Sequence, residues 1–379
     1  MELDDAGFNR PRRRLPIRPS GVDPVAELRR SCPGLVVERP SSVSAGVETE
    51  FDPTLGRAVS SWQAWAVDET VRFQGSSGGV LTALASWLVE TGRAAQVIGA
   101  TADALRPERT VDVKLRAGDN LLEQSGSRYA PVSIASRQDA LSPASVVVGK
   151  PCEAAALRRI MEGRTQTERP LLLSFFCAGV PSQFATDRLL HELGVPQGAR
   201  LRTMRYRGHG WPGEFFVETD TGFTSSTSYD ESWGKTLGPS MQWRCKVCPD
   251  GVGESADIVA GDFWKTDSRG YPEFTDSSGV SALIARTQRG HDVIMSAVDA
   301  GVIVAQPLEL RHISSIQPLQ SERRATLLGR IVGRKLAGWS VPRYKGFGLI
   351  RLALQDPLKT TRYLYGSFRR SLMEKRRAP

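Results

Sequence analysis

Residues 146–182 read VVVGKPCEAAALRRIMEGRTQTERPLLLSFFCAGVPS. Two short apolar runs, Val146 to Gly149 and Leu171 to Phe176 (the second broken only by Ser174), frame a segment of helical character from Glu153 to Met161. Runs this short, apolar at successive positions rather than at every second one, suit strands covered on both faces, and strands that alternate with helices suit a parallel sheet. A turn at Gly179-Val180-Pro181 then leads into a helix from about Ser182 to Leu193. Upstream, Val80, Leu81, Leu84, Trp87 and Leu88 form one helix face that Gly92 can end, and Val97-Ile98-Gly99-Ala100 reads as another strand. The fold class expected is therefore α/β, a mostly parallel sheet flanked by helices. Downstream the pattern changes. Leu201 to Arg207 and Glu214 to Thr219 alternate, and Asp220-Thr221-Gly222 turns the chain into Phe223 to Ser228, an inserted hairpin of α+β character. A long loop with Trp233 and Trp243 follows, then strand candidates at Asp257–Gly261 and Val280–Thr287 and a helix at Asp292–Ala300. After Gln320 the chain reads as helical, with Leu328, Ile331, Val332 and Leu336 on one face and Leu364, Phe368 and Leu372 on another. The divisions expected are 1–66, irregular and rich in Pro, Arg, Ser and Gly; 67–150; 151–310; and a helical basic tail, 311–379.

Composition narrows the function classes. In 379 residues, 40% apolar and 24% charged, no run approaches the ~20 apolar residues of a membrane span. The first 20 residues carry Arg10, Arg12, Arg13, Arg14 and Arg18 without the apolar stretch of a secretory signal. Five cysteines are too few for a disulfide scaffold of this length, so reduced thiols and a cytoplasmic location are expected. The net charge of +9 is uneven: Ser321 to Pro379 holds fifteen Lys or Arg against three acids, +12, which leaves −3 for the remainder. No nucleic-acid-binding motif accompanies these cations, and nucleic acid is not an expected partner. A basic tail equally suits an anionic surface, at the inner face of a membrane, or an acidic partner protein.

Four cysteines carry most of the chemistry. Cys152 and Cys177 each follow the carboxyl end of a predicted parallel strand, the edge where open α/β sheets bind ligands. Cys245 and Cys248 form a Cys-x-x-Cys loop, and Pro249 follows. Four thiolates arriving together suit an iron–sulfur cluster or zinc, and a Cys-Pro step favours iron–sulfur. On spacing alone, buried structural cysteines beside a redox Cys-x-x-Cys stay open as the alternative. Gly75-Ser76-Ser77-Gly78-Gly79, ahead of a helix, could cradle an oxyanion, with Ser76 or Ser77 as the helix cap, or be a plain turn. Ser127, Arg128 and Tyr129 could hold a phosphate and stack a ring. His191, His209, His291 and His312 are scattered, and only His209, in a basic, aromatic and glycine-rich run, invites a site role.

These segments, in order, resemble the beta-subunit family of coenzyme F-420-reducing hydrogenases and dehydrogenases, from about Val71 to Ile303. The segments are Gly75 to Leu84, Gly126-Ser127-Arg128-Tyr129, Val148-Gly149-Lys150-Pro151-Cys152, Phe176 to Ser182, Tyr206-Arg207-Gly208 and Gly210-Trp211-Pro212-Gly213. Cys245 to Asp250, Ala256-Asp257-Ile258, Gly261-Asp262-Phe263-Trp264 and Gly279-Val280-Ser281 complete the set. The resemblance implies an FAD-binding, iron–sulfur oxidoreductase that moves electrons between one 4Fe–4S cluster, FAD and a deazaflavin-type coenzyme such as coenzyme F-420, or an organic acceptor. Similar proteins include chlorophyll-pathway reductases and companions of polysaccharide pyruvyl transfer, so surface-polysaccharide metabolism and a glycan-precursor substrate are among the expectations, as is a redox partner or hydride donor. On this resemblance Cys152, Cys177, Cys245 and Cys248 are the cluster ligands, and residues 151–310 hold them. Gly75, Ser76, Ser77, Gly78, Gly79, Ser127, Arg128, Tyr129 and Lys150 are flavin contacts, with 67–150 the flavin-binding part. Lys150 and Arg207 are the catalytic candidates, stabilising negative charge on reduced flavin or substrate. The chain departs from the family in keeping only Cys32 where many members carry a cysteine-rich ferredoxin-like segment, so 1–66 is expected to be a degenerate remnant without a second cluster. A non-catalytic zinc- or cluster-stabilised module and a pure electron-transfer subunit are the competing readings.

Overall fold

The computed structural model describes residues 1–11, 23–40, 47–264 and 277–377. Of the N-terminal arginines, Arg12, Arg13, Arg14 and Arg18 lie outside these residues. In chain order the main elements begin with β1 (Ser60–Ala66), α1 (Val80–Glu90), β2 (Gln96–Ala102), β3 (Thr110–Leu115), β4 (Ser145–Gly149) and α2 (Pro151–Ile160). There follow β5 (Leu171–Phe175), α3 (Gln183–Glu192), β6 (Leu201–Arg205), β7 (Glu214–Thr219), β8 (Thr224–Ser228) and β9 (Ile258–Asp262). The last are β10 (Ser281–Ala285), α4 (Gln288–Asp299), β11 (Ile303–Pro307), α5 (Pro318–Ala325), α6 (Leu327–Leu336) and α7 (Pro357–Arg377).

Eight strands form one sheet in the order β11-β1-β10-β9-β5-β4-β2-β3. Its centre, β9, β5, β4 and β2, is parallel. Antiparallel strands extend it on both edges, so the sheet as a whole is mixed. The apolar runs of β4, β5 and β9 serve both faces, as period two requires. Val146, Leu171, Leu173 and Ile258 pack with α1 and α4 on one face. Val147, Leu172 and Val259 pack with Ala154 and Leu157 of α2 and with Met161 at its end on the other. The hairpin β6–β8 is a separate three-stranded sheet whose Met204, Phe215 and Val217 bury against Ala185 and Leu189 of α3.

Residues 1–66 are less irregular than their composition suggests. Pro24–Ser31 is a helix, and Ser60–Ala66 is a seven-residue strand beside one edge of the main sheet. Trp62, Ala64 and Ala66 alternate into the core there, a strand signal that serines and a glutamine dilute.

The tail departs from its expected faces. Leu336, assigned to an apolar face, is 64% exposed. The buried positions of α6 are instead Leu327, Gly329, Gly333 and Arg334, and those of α7 include Ser367 and Ser371. The two helices cross so closely that a Cβ on Gly329 would lie 2.3 Å from the Thr360 carbonyl oxygen, and one on Gly333 2.3 Å from that of Leu364. Small residues mark this seam because larger ones cannot fit. Arg334 lies over the rings of Trp243 and Trp339, with centroids at 4.5 and 4.0 Å, and pairs with Glu374.

A buried ion cluster fastens the tail to the body. Glu254 accepts from Arg324 Nη2 at 2.6 Å and from Arg39 Nε at 2.7 Å. Arg324 Nη2 also donates to the Pro249 carbonyl at 2.7 Å. Farther along, Val36–Glu38 pairs in parallel with Arg343–Lys345, so both ends of the chain meet on the body. Two outcomes follow. Gly333→Val should cost about 1–3 kcal/mol and expose the α6–α7 seam to limited proteolysis. Glu254→Ala, which leaves the buried Arg324 and the half-buried Arg39 without their carboxylate, should cost about 3–5 kcal/mol in urea unfolding.

Candidate functional site

Adjacent parallel strands place the first two cysteines together. β5 pairs with β4 at Leu171–Val146 through Ser174–Gly149, so both strands end at one edge of the sheet. Cys152 stands in the first turn of α2, directly past β4, and Cys177 just past β5. Pro151 opens α2 at no hydrogen-bond cost, and Glu153 accepts from the Lys150 backbone N–H at 3.1 Å, which fixes the Lys150–Cys152 corner. Cys245 lies in a single helical turn, Trp243–Lys246, and Cys248 follows it. All four cysteines line one cavity with Lys150, Arg244, Arg323 and Tyr344.

Burial pushes the thiol of Cys152 up to about 11 and that of Cys177 up to about 12, and raises that of Cys248 further. Cations oppose this cost. Burial works against the charge on Lys150, but Glu153 at 2.9 Å and the neighbouring Cys152 and Cys177 outweigh it and raise its pKa. Arg244 behaves likewise under Cys152, Cys245 and Cys248. Arg323 donates to the carbonyls of Cys177 and Ala178 at 3.3 and 2.7 Å. The Val180 N–H points at Cys245 Sγ at 3.4 Å. Among the described residues, no three His, Cys, Asp or Glu side chains close on a point as the ligands of one ion would. Cys32 lies near Arg244 but does not line the cavity.

A second, larger cleft of about 280 Å³ opens beside the first. Gly75, Ser76, Ser77 and Gly79 line it together with Val80, Leu81 and Thr82 of α1. Gly79, with φ of 70°, caps α1 without any side-chain hydrogen bond. Neither serine caps the helix as expected: Ser77 Oγ donates to the Val280 carbonyl at 2.9 Å, and Ser76 Oγ is buried with no protein partner. Gly78 does not line the cleft. Its N–H donates to Ser281 Oγ at 3.0 Å, and a Cβ there would sit 2.6 Å from the Ala64 carbonyl.

Ser127, Arg128 and Tyr129 also line the cleft. Arg128, however, gives its guanidinium to Thr110 Oγ1 and to the carbonyls of Pro107, Arg109 and Met204. It ties the loop before β3 to β6 and has little left for an anion. Tyr129 packs its ring 4.9 Å from that of Trp233. Arg207 is 3% exposed, donates to Asp262 at 2.7 Å and to the Pro212 carbonyl at 2.6 Å, and lies 4.7–5.0 Å from the ring centroids of Tyr229, Trp211 and Trp264. His209 lines neither cavity, and His291 is a packing residue, hydrogen-bonded to Ser60 at 2.7 Å and stacked on Trp62.

Lys150, Cys177, Gly179 and Val180 line both cavities and form the wall between them. Arg244, Arg323, Tyr344, Trp233 and Asp262 escaped the sequence-based site. For Asp262 and Arg244 a signal existed, in the run Gly261–Trp264 and in adjacency to Cys245. For Arg323 and Tyr344 there was none beyond a run of charge.

Residues 61–138 match the model of the coenzyme F420 hydrogenase/dehydrogenase beta subunit N-terminal domain, and residues 144–311 that of its C terminus. A curated relative, coenzyme F420 hydrogenase subunit beta of Methanothermobacter thermautotrophicus, is 24% identical over 294 residues, 74% of this chain and 96% of that one. A chain of the F420-reducing [NiFe] hydrogenase complex of Methanosarcina barkeri shares the fold with a TM-score of 0.53 at 22% identity, over 73% of this chain and 96% of that one. Both matched family regions fall on the sheet and on the loops that bear the cysteines and the glycines, and the chain belongs to the coenzyme F420 hydrogenase/dehydrogenase beta-subunit family.

Proposed function

We propose that the protein is an iron–sulfur flavoprotein oxidoreductase, and the observation that carries this reading is the wall shared by the two cavities. A four-thiol chamber on one side and a glycine-lined cleft on the other meet at Cys177 and Lys150. The donor set fits a cluster: four half-buried cysteines surround a chamber rather than a point, and three cations, Lys150, Arg244 and Arg323, would offset the thiolates' charge. A single zinc ion, which draws its ligands to one centre at about 2.3 Å from each sulfur, fits less well. The cleft suits FAD. The open start of α1, the close-packed glycines and the partnerless Ser76 hydroxyl are the parts of an anion cradle, and Tyr129 with Trp233 supplies an aromatic wall.

When bound, a 4Fe–4S cluster would relay single electrons and FAD would exchange them for a hydride pair. The chain's residues do the positioning. Cys152, Cys177, Cys245 and Cys248 would hold the cluster, and Gly75, Ser76, Ser77 and Gly79 with Ser127 the flavin. Lys150, pinned by Glu153 and by the Val132 carbonyl at 3.1 Å, keeps one fixed positive charge in the shared wall. Arg207 keeps another on the far side, held by Asp262. Both would stabilise negative charge developing on reduced flavin or on the acceptor. The acceptor proposed is a deazaflavin-type coenzyme or an organic substrate, a glycan precursor included, and the electrons would come from a redox partner or hydride donor. The exposed cations of the tail propose a further contact, with an anionic surface.

Anaerobically purified protein should carry about four iron and four labile sulfide per chain, with FAD in stoichiometric amount. Serine at Cys152, Cys177, Cys245 or Cys248 should abolish the iron, whereas Cys32→Ser should keep it. A colourless zinc protein would overturn the reading. Lys150→Gln should keep iron and flavin and slow flavin reduction by about tenfold or more, and an unchanged rate with full cofactor content would remove its role.

A further inference from the structure

The matched family regions end at residue 311, and the tail beyond them has one surface that the redox reading leaves unused. Four large apolar side chains among the described residues are at least 70% exposed, and three of them fall within nine residues: Ile350 at 70%, Leu354 at 71% and Leu358 at 85%. They recur every fourth position, while Leu352 and Ala353 turn the opposite side of the Leu349–Gln355 helix inward. Burying three such side chains would be favourable, and nothing among the described residues covers them.

The surroundings say what can. From Arg323 to Met373 the chain has twelve Lys or Arg and a single acid, Asp356. Arg323, Arg324, Arg330 and Arg334 face the body, but Lys335, Arg343, Lys345, Arg351, Lys359, Arg362, Arg369 and Arg370 are exposed. Of these, Arg351, Lys359 and Arg362 flank the three apolar residues in sequence. Among the described residues only a weak pairing, Lys359 to Glu322 at 3.8 Å, offsets them. Isolated, protruding apolar side chains amid cations match the headgroup zone of a bilayer, where alkyl groups sink to the acyl boundary and cations meet lipid phosphates. No helix among the described residues is long and apolar enough to cross a membrane, so such a contact would be peripheral.

We propose that Ile350, Leu354 and Leu358, with the cations around them, form a docking surface for an anionic lipid bilayer. The site is independent of the cofactors and deepens only the proposed contact with an anionic surface.

The test is co-sedimentation of the full-length protein with vesicles of phosphatidylglycerol and phosphatidylcholine, against phosphatidylcholine alone. Wild type should bind the anionic vesicles, bind the neutral ones far less, and lose affinity as salt rises. Leu354→Asp with Leu358→Asp should lower binding by about tenfold or more, with circular dichroism, iron and flavin content unchanged. Arg351→Gln with Lys359→Gln should weaken it and flatten its salt dependence. Equal binding by the double-aspartate variant would show that diffuse charge alone attracts the protein and would overturn the proposal. So would absence of wild-type binding, or a concentration-dependent self-association that the aspartates abolish without any vesicle binding.

Discussion

The parallel register between β4 and β5 is the constraint on which the rest depends. Val146 faces Leu171 and Gly149 faces Ser174. Because the strands run the same way, they stop together, and the residues after each stop share an edge. Lys150 to Cys152 and Phe176 to Cys177 are brought side by side by this alone. An antiparallel pairing of the same strands would send them to opposite ends of the sheet. The apolar composition of the strands, buried on both faces, is therefore what assembles half of the cysteine chamber.

The other half comes from segments with no regular pairing to that edge. The Trp243–Lys246 turn carries Cys245, and the tail supplies Arg323 and Tyr344, whose hydroxyl donates to the Val247 carbonyl at 2.8 Å. Arg324 anchors this tail through Glu254, and Arg323, its neighbour, reaches the carbonyls of Cys177 and Ala178. One ion pair thus secures a wall of the chamber from a distance. The positive side chains around four thiols are an electrostatic necessity as much as an ornament of the sequence, since buried sulfur resists ionisation without them.

Much of this was legible in the sequence, for identifiable reasons. The central strands announced themselves because apolar residues at successive positions leave no other economical placement. The four cysteines could be grouped because two stood past strand ends and two stood three residues apart. Ser60–Ala66 was obscured because Ser61 and Gln63 dilute the apolar pattern and its inward alanines are weak signals. The outer strands, antiparallel, carry no local mark of direction. The tail misled for a different reason: its leucines suggested an apolar seam, while the close approach of α6 and α7 depends on Gly329 and Gly333, which periodicity counts as nothing. Arg128 illustrates a limit of motif reading, since a guanidinium beside a cleft can be largely taken up by a hydroxyl and by carbonyls.

The pairing of Val36–Glu38 with Arg343–Lys345 has a consequence for biogenesis. Arg39 Nη1 donates to the Gly346 carbonyl across 307 positions of chain, and Tyr344 and Val37 both line the cysteine chamber. During synthesis the matched family region, which ends at residue 311, emerges before residues 342–345, so this side of the chamber is not complete until Pro342 and Tyr344 have been made.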